Sequence, residues 1–193
     1  MRFVFMLLAV FCTSCSMPST PEQPQVVKAE HSFASGGSIE MHLDGSNYQI
    51  RTAATDQIRV SFGGNPGNAT AELTTNGTHA NLVVKDTPHN DFQAFIDVPK
   101  TADVVLRLSG GNLEMAAITG NKDIDNKAGN VEIAVGSAAD YASVDASVEV
   151  GNLDAAPFGA SDSIISHHVT WSGQGKYTLR ATLGAGNLAL HAK

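Results

Sequence analysis

Cysteine is almost missing from this chain of 193 residues, and the two that occur, Cys12 and Cys15, both stand near its N-terminus. A disulfide framework in the body is thereby excluded. Aromatics are scarce at 6%, with a single tryptophan, and charged residues make up only 16%. Basic residues are outnumbered, 12 Lys and Arg against 19 Asp and Glu, for a formal charge of -7. That balance argues against nucleic acid and against an electrostatic hold on anionic lipid. Catalytic and metal signatures are missing too. There is no HExxH, no Cys pair at ligand spacing, no histidine pair at i and i+4, and no GxSxG elbow. Gly36-Gly37 and Gly110-Gly111 precede strand-like rather than helical sequence, so no phosphate-cradling loop is present. Apolar residues, at 42%, recur throughout alongside 18 glycines, which suits a folded, turn-rich β protein.

The first residues differ from everything after them. Arg2 precedes an uninterrupted apolar run from Phe3 to Phe11, the pattern of an export signal and too short for a comfortable membrane span. Small Thr13 and Ser14 then lead into Cys15, which resembles the lipobox of bacterial lipoproteins, where cleavage precedes an acylated cysteine. Cys12 fits worse, because bulky Phe11 stands before it. The expectation is a signal peptide at 1–14, a lipid anchor on Cys15, and a membrane reached through that lipid. Loss of residues 1–14 removes Arg2 and takes the charge from -7 to -8. Residues 16–27 carry three prolines among small and polar residues and read as a semi-rigid tether. The domain layout expected is 1–14, 15–27 and 28–193. Ser16 behind the cysteine resembles a sorting signal for the outer membrane, which gives an envelope location on the periplasmic face or the cell surface.

The body repeats a short unit. Gly-Asn recurs at 111, 120, 129, 151 and 186, each time ahead of a short alternating stretch such as Val131-Glu132-Ile133. Glycine accepts positive φ and asparagine tolerates it, so each pair is expected to turn the chain into a half-buried strand. Turn plus strand fills about nine residues, which predicts an all-β, single-domain β-solenoid with each coil stacked on its predecessor. A β-sandwich is the alternative. Leu113, Val131 and Leu153 are expected to line the interior, with Glu114, Glu132 and Asp154 on a solvated outer face. Further strands are expected at 38–43, 48–52, 58–62, 80–84, 92–98, 104–108, 143–150 and 177–183.

The stretch from Ser32 to Lys193 resembles the bacterial envelope family DUF4097, related to DUF2807 and known by the label "putative adhesin". The likeness rests on Gly37-Ser38-Ile39-Glu40-Met41 before Gly45-Ser46-Asn47-Tyr48-Gln49-Ile50, and on Ala94-Phe95-Ile96-Asp97-Val98-Pro99 leading into Val104-Val105-Leu106-Arg107-Leu108. The Gly-Asn units follow, then Trp171-Ser172-Gly173-Gln174-Gly175-Lys176-Tyr177. The resemblance implies a β-helix without a catalytic set.

Candidate contacts are therefore few. The interval 155–178 is the most individual, and His167, His168 and Trp171 are its candidate partner-binding residues. The edge of the last strand, 187–191, is a candidate for strand addition. Asp123, Asp125, Asp140 and Asp145 are the acids that a carbohydrate-active β-helix enzyme would use. No metal site and no cofactor are expected. The functional expectation is a non-enzymatic, lipid-anchored adhesin or interaction module, whose partner is another envelope protein or a surface glycan. A regulatory or scaffold role in envelope stress is the alternative.

Overall fold

A computed structural model describes residues 25–159 and 167–192. The segment expected to be a signal peptide, Cys15 and the proline-rich part of the expected tether lie outside those residues. Among the described residues thirteen strands are present: β1 Val26–Ser32, β2 Ser38–Leu43, β3 Ser46–Thr52, β4 Gln57–Gly64, β5 Thr70–Asn76, β6 His79–Lys85, β7 Phe92–Val98, β8 Asp103–Leu108, β9 Gly111–Met115, β10 Lys122–Ala134, β11 Tyr141–Asp154, β12 His168–Ser172 and β13 Tyr177–His191. Two single-turn 3-10 helices, Ala138–Asp140 and Ala156–Phe158, complete the described elements. The expectation of an all-β chain is met.

Alternation explains the strands. In β2, Ile39, Met41 and Leu43 are buried while Glu40 and His42 are exposed, the period of two that a pleated strand imposes. β1 begins at Val26, so the last two residues assigned to the tether belong to a strand. β5 and β6 form a hairpin in which Asn76 pairs with His79 across the two-residue turn Gly77-Thr78, with Gly77 at positive φ.

All thirteen strands join in one mixed sheet. Its two ends, β1 and β5, come into contact, so the sheet is nearly closed and barrel-like. Within it, β10, β11 and β13 are long strands with two arms. The first arm of β10 pairs with β8 and the second with β9. β8 with β9, β2 with β3, and β6 with β7 are the same two-armed unit broken at the bend. Neighbouring units pair parallel and in register, in the spatial order β6/β7, β2/β3, β8/β9, β10, β13, β11. Stacking on the predecessor therefore holds only at alternate steps. β2/β3 separates β6/β7 from β8/β9, and β13 separates β10 from β11. A consequence is that most of 187–191 is not an edge: residues 187–189 pair on both sides, with β10 and β11, and only Leu190 and His191 pair with β10 alone.

The register creates continuous interior columns. Tyr48, Leu113, Val131, Leu188 and Leu153 are successive partners, all buried. Each such aliphatic burial contributes about 1.5–3 kcal/mol. Two polar residues sit in these columns. Lys122 occupies the row of Ile39, Val104, Leu179 and Val144, and Asn126 that of Leu43, Leu108, Leu183 and Val148.

The Gly-Asn pairs at 111, 129, 151 and 186 do not turn the chain between strands. Gly129-Asn130, Gly151-Asn152 and Gly186-Asn187 lie inside β10, β11 and β13, and Gly111-Asn112 opens β9. Their glycines do take positive φ, from 108° to 141°. The reason for glycine is steric. A Cβ on Gly129 would stand 1.9 Å from the carbonyl oxygen of Gly111, and one on Gly186 1.8 Å from that of Gly129. The glycines form a column in which each backbone closes on the next, at the bend between the two arms.

Candidate functional site

Directly after each glycine of the column stands an outward asparagine, and these four side chains, with Asn47 behind Ser46, form a ladder across five strands. Asn152 Nδ2 donates to Asn187 Oδ1 (2.8 Å), Asn187 to Asn130 (2.7 Å), Asn130 to Asn112 (3.0 Å) and Asn112 to Asn47 (2.8 Å). Asn47 Nδ2 ends the series on the carbonyl of Phe92 at 3.3 Å. Every bond points the same way. The parallel, in-register sheet makes this geometry available, because strands spaced about 4.8 Å apart repeat the same side chain at the same height.

The next outward row is acidic. Glu114 and Glu132 are direct register partners, and Glu114 Oε2 accepts from Gln49 Nε2 at 3.0 Å. Ala189 stands between Glu132 and Asp154, so the third acid of the expected outer face is offset by one strand. As expected, Glu114, Glu132 and Asp154 are exposed while Leu113, Val131 and Leu153 are buried.

Asn47, Asn112 and Asn130, with Asp91, Glu114 and Glu132, line a groove of about 510 Å³, in which no Lys or Arg takes part. An amide neither gives up nor takes up a proton near neutral pH, so this surface offers fixed donors and acceptors beside negative charge. It suits hydroxyl-rich, amide-bearing or cationic groups and disfavours anions.

The acids considered for hydrolysis do not converge. Arg107 holds Asp123 through two bonds of 3.0 and 3.1 Å, and that contact raises the guanidinium's proton affinity further. Arg180 separates Asp123 from Asp145 in the register. Asp145 meets His168 Nε2 at 2.9 Å. Asp125 is exposed on the outer face of β10, and Asp140 lies in the 3-10 turn. Among the described residues no group of three or more His, Cys, Asp or Glu side chains is placed to hold a metal ion.

His168 and Trp171 share β12 but stand on opposite faces, since His168 is exposed and Trp171 leans toward the core. The Trp171 ring lies 5.3 Å from Phe158, which meets Tyr141 edge-on at 5.8 Å. His167 precedes the strand, exposed, and its carbonyl accepts from Val148 N at 2.8 Å. The three candidates are neighbours in sequence that the structure does not gather into one pocket.

Beneath the sheet, Lys122 is only 2% exposed. Its Nζ donates to Tyr141 Oη (2.9 Å) and to the carbonyl of Gly120 (3.1 Å). Burial lowers its pKa to about 8, and burial beside Asp140 pushes Tyr141 up to about 12. Tyr48 is raised as well, by burial and by Asp44.

Among solved structures, the fold resembles that of a "putative cell adhesion protein" from Clostridium sporogenes, with a TM-score of 0.51 at 12% identity over 89% of this chain and 100% of that one. A "putative adhesin" from Bacteroides fragilis aligns over 89% of this chain and 99% of its own, at 8% identity and a TM-score of 0.28. At these identities the first likeness is one of fold, and the second is too slight to argue from. No family model matches the sequence, and no curated protein matches it.

The amide ladder is the part of the site that the sequence reading missed. Its signal was present for four of the five: Asn112, Asn130, Asn152 and Asn187 each follow a glycine and precede an apolar residue, whereas Asn47 follows Ser46.

Proposed function

We propose that this chain is a lipid-anchored, non-enzymatic interaction module of the bacterial envelope, of adhesin type, which recognises a polar partner through the groove beside the amide ladder. The groove carries the reading. Its polar groups are fixed by one another in a line rather than poised around a reacting atom, and a pre-ordered polar surface loses little side-chain entropy on binding. The fold likeness to a "putative cell adhesion protein" supports the adhesin reading. The in-register stack of two-armed units supports reading the sheet as a solenoid. Cys15 is the proposed anchor, and the partner is an envelope protein or surface glycan that is neutral or cationic.

The test is protease treatment of intact cells carrying the tagged protein, with a Cys15→Ser control followed by lipid labelling. The expected results are labelling that disappears with Cys15 and digestion of the body from outside. Labelling that survives the substitution would remove the anchor. Protection until the outer membrane is broken would remove the adhesin reading and leave a periplasmic scaffold. On untreated cells that carry the body outside, Glu114→Gln with Glu132→Gln is expected to weaken attachment to a cationic surface at low salt.

A further inference from the structure

The stack of two-armed units ends in four arms, and three of them are covered by an antiparallel strand. β5 covers β6, β4 covers β7, and β12 covers the first arm of β11. The fourth arm, residues 150–154 of β11, pairs only with β13 among the described residues. The last contact of the β12 side among the described residues is the bond from Val148 N to the carbonyl of His167. Just beyond that bond, Val150 is 68% exposed, the largest value among the exposed large hydrophobic side chains.

The amide ladder ends on the same arm. Asn47, Asn112, Asn130 and Asn187 each accept a side-chain amide hydrogen through Oδ1, and Asn112 also accepts from Asn130 N. Asn152 donates to Asn187 and accepts from no described residue, so its Oδ1 and one of its two Nδ2 hydrogens are available. An open strand with a bare β-branched side chain and an unfilled ladder position is a template for another strand.

We propose that residues 150–154 form a dimerisation edge, which pairs antiparallel with the same segment of a second copy about a two-fold axis at Asn152. The occupant follows from self-complementarity. At a two-fold axis each residue on the axis meets itself, so it must be both donor and acceptor. A carboxamide is both, and Asn152 facing its copy completes a reciprocal amide pair. The same register places Asp154 opposite Val150 and Glu149 opposite Ala155, so no two carboxylates face each other. Closure about the axis stops assembly at two, leaves both grooves outward, and gives a surface-tethered pair two binding sites.

The experiment uses the full chain. Asn152→Cys is oxidised and run without reductant, beside the parent chain and Asn112→Cys, an exposed mid-ladder control. Paired antiparallel residues lie about 4.5–5.5 Å apart at Cα, within disulfide reach. The expected result is a covalent dimer from Asn152→Cys alone, together with a dimer of the parent chain by light scattering in detergent. Val150→Lys is expected to weaken that dimer by roughly tenfold or more while leaving the unfolding midpoint of the monomer in place, because the side chain is exposed. Three results would overturn the proposal: a parent chain that stays monomeric without a 152 cross-link, a dimer indifferent to Val150→Lys, or a 152 cross-link to a different protein in place of a second copy.

Discussion

Lys122 is an amine in an apolar column, and its position yields a quantitative test. Its pKa falls from 10.5 to about 8 because burial disfavours the charged form. At about 1.4 kcal/mol per tenfold change in proton affinity, the charged amine costs the folded state about 3 kcal/mol at neutral pH. Below pH 8 both folded and unfolded chains carry the proton, so the full cost is present. Between pH 8 and 10.5 the unfolded chain still holds a proton that the folded chain has released, and raising the pH stabilises the fold. Above pH 10 the opposite effect begins. Unfolded tyrosine ionises while Tyr141 keeps its proton until about 12, and stability falls again.

Lys122→Met isolates the amine. Methionine matches its length and flexibility, and Tyr141 Oη keeps its bond to the carbonyl of Val135 at 3.3 Å. The loss of the bonds to Tyr141 and Gly120 costs about 1–2 kcal/mol, so the variant is expected to exceed the parent by about 1–2 kcal/mol at pH 7. The distinguishing quantity is the pH slope. Trp171, packed on Phe158 beside Tyr141, reports urea unfolding at each pH. The difference between parent and variant should shift by about 3 kcal/mol in the parent's favour from pH 7 to 10.5, while both fall beyond pH 10. Parallel curves over that range would refute the reasoning and show that solvent reaches the ammonium group.

Gly129→Ala is expected to cost more than about 3 kcal/mol or to prevent folding, because its Cβ would overlap the Gly111 carbonyl at 1.9 Å. Gly77→Ala also meets positive φ, 61°, but nothing lies within 4 Å, so about 1 kcal/mol is expected. Equal losses in urea titrations would discount the column. Asn130→Ala breaks the ladder in its middle and should cost about 1–2 kcal/mol, against under about 1 kcal/mol for Asn152→Ala at its end. Arg51 binds both oxygens of Asp97 and lies 4.7 Å from the Phe95 ring, whereas Arg107 and Asp123 are each more than a third exposed. Arg51→Ala is accordingly expected to lower stability by about 1–2 kcal/mol and Arg107→Ala by under about 1 kcal/mol, an order that thermal unfolding in low and high salt would check.

Strand positions were legible wherever one face is buried. Ser38–Leu43 and Phe92–Val98 have the bounds expected of them, since Ile39, Met41, Leu43 and Phe92, Ala94, Ile96, Val98 alternate cleanly. β5 escaped notice because Thr70–Asn76 buries only Leu73, although Gly77 marked its hairpin turn. β1 escaped because the burial pattern shows no buried residue along it. Pairing order was not legible. Residues 177–191 enter between β10 and β11, a choice of partners made through space that no local pattern carries. The Gly-Asn pairs were misjudged for a related reason. Positive φ was read correctly, but positive φ serves a turn and a tight inter-strand approach equally well, and only the neighbouring strand's carbonyl distinguishes the two. His167, His168 and Trp171 drew attention as a cluster in sequence, yet alternation along β12 sends His168 and Trp171 to opposite faces.

The one-way ladder constrains where the stack can grow. Amides hydrogen-bonded head to tail polarise one another, so each added bond strengthens the donors and acceptors at the ends. At one end that polarisation is spent within the chain, because Asn47 donates to the Phe92 carbonyl and β4 covers β7. At the other it accumulates on Asn152 Oδ1, which is thereby a better acceptor than an isolated surface amide. Substituting Asn130 should therefore weaken more than the fold. With the ladder cut in its middle, Asn152 loses the cooperative part of its acceptor strength while its own backbone and Val150 stay as they were. If the edge at 150–154 associates through this amide, Asn130→Ala should loosen the dimer from two strands away; a dimer unchanged by that substitution would assign its affinity to backbone pairing and Val150 alone.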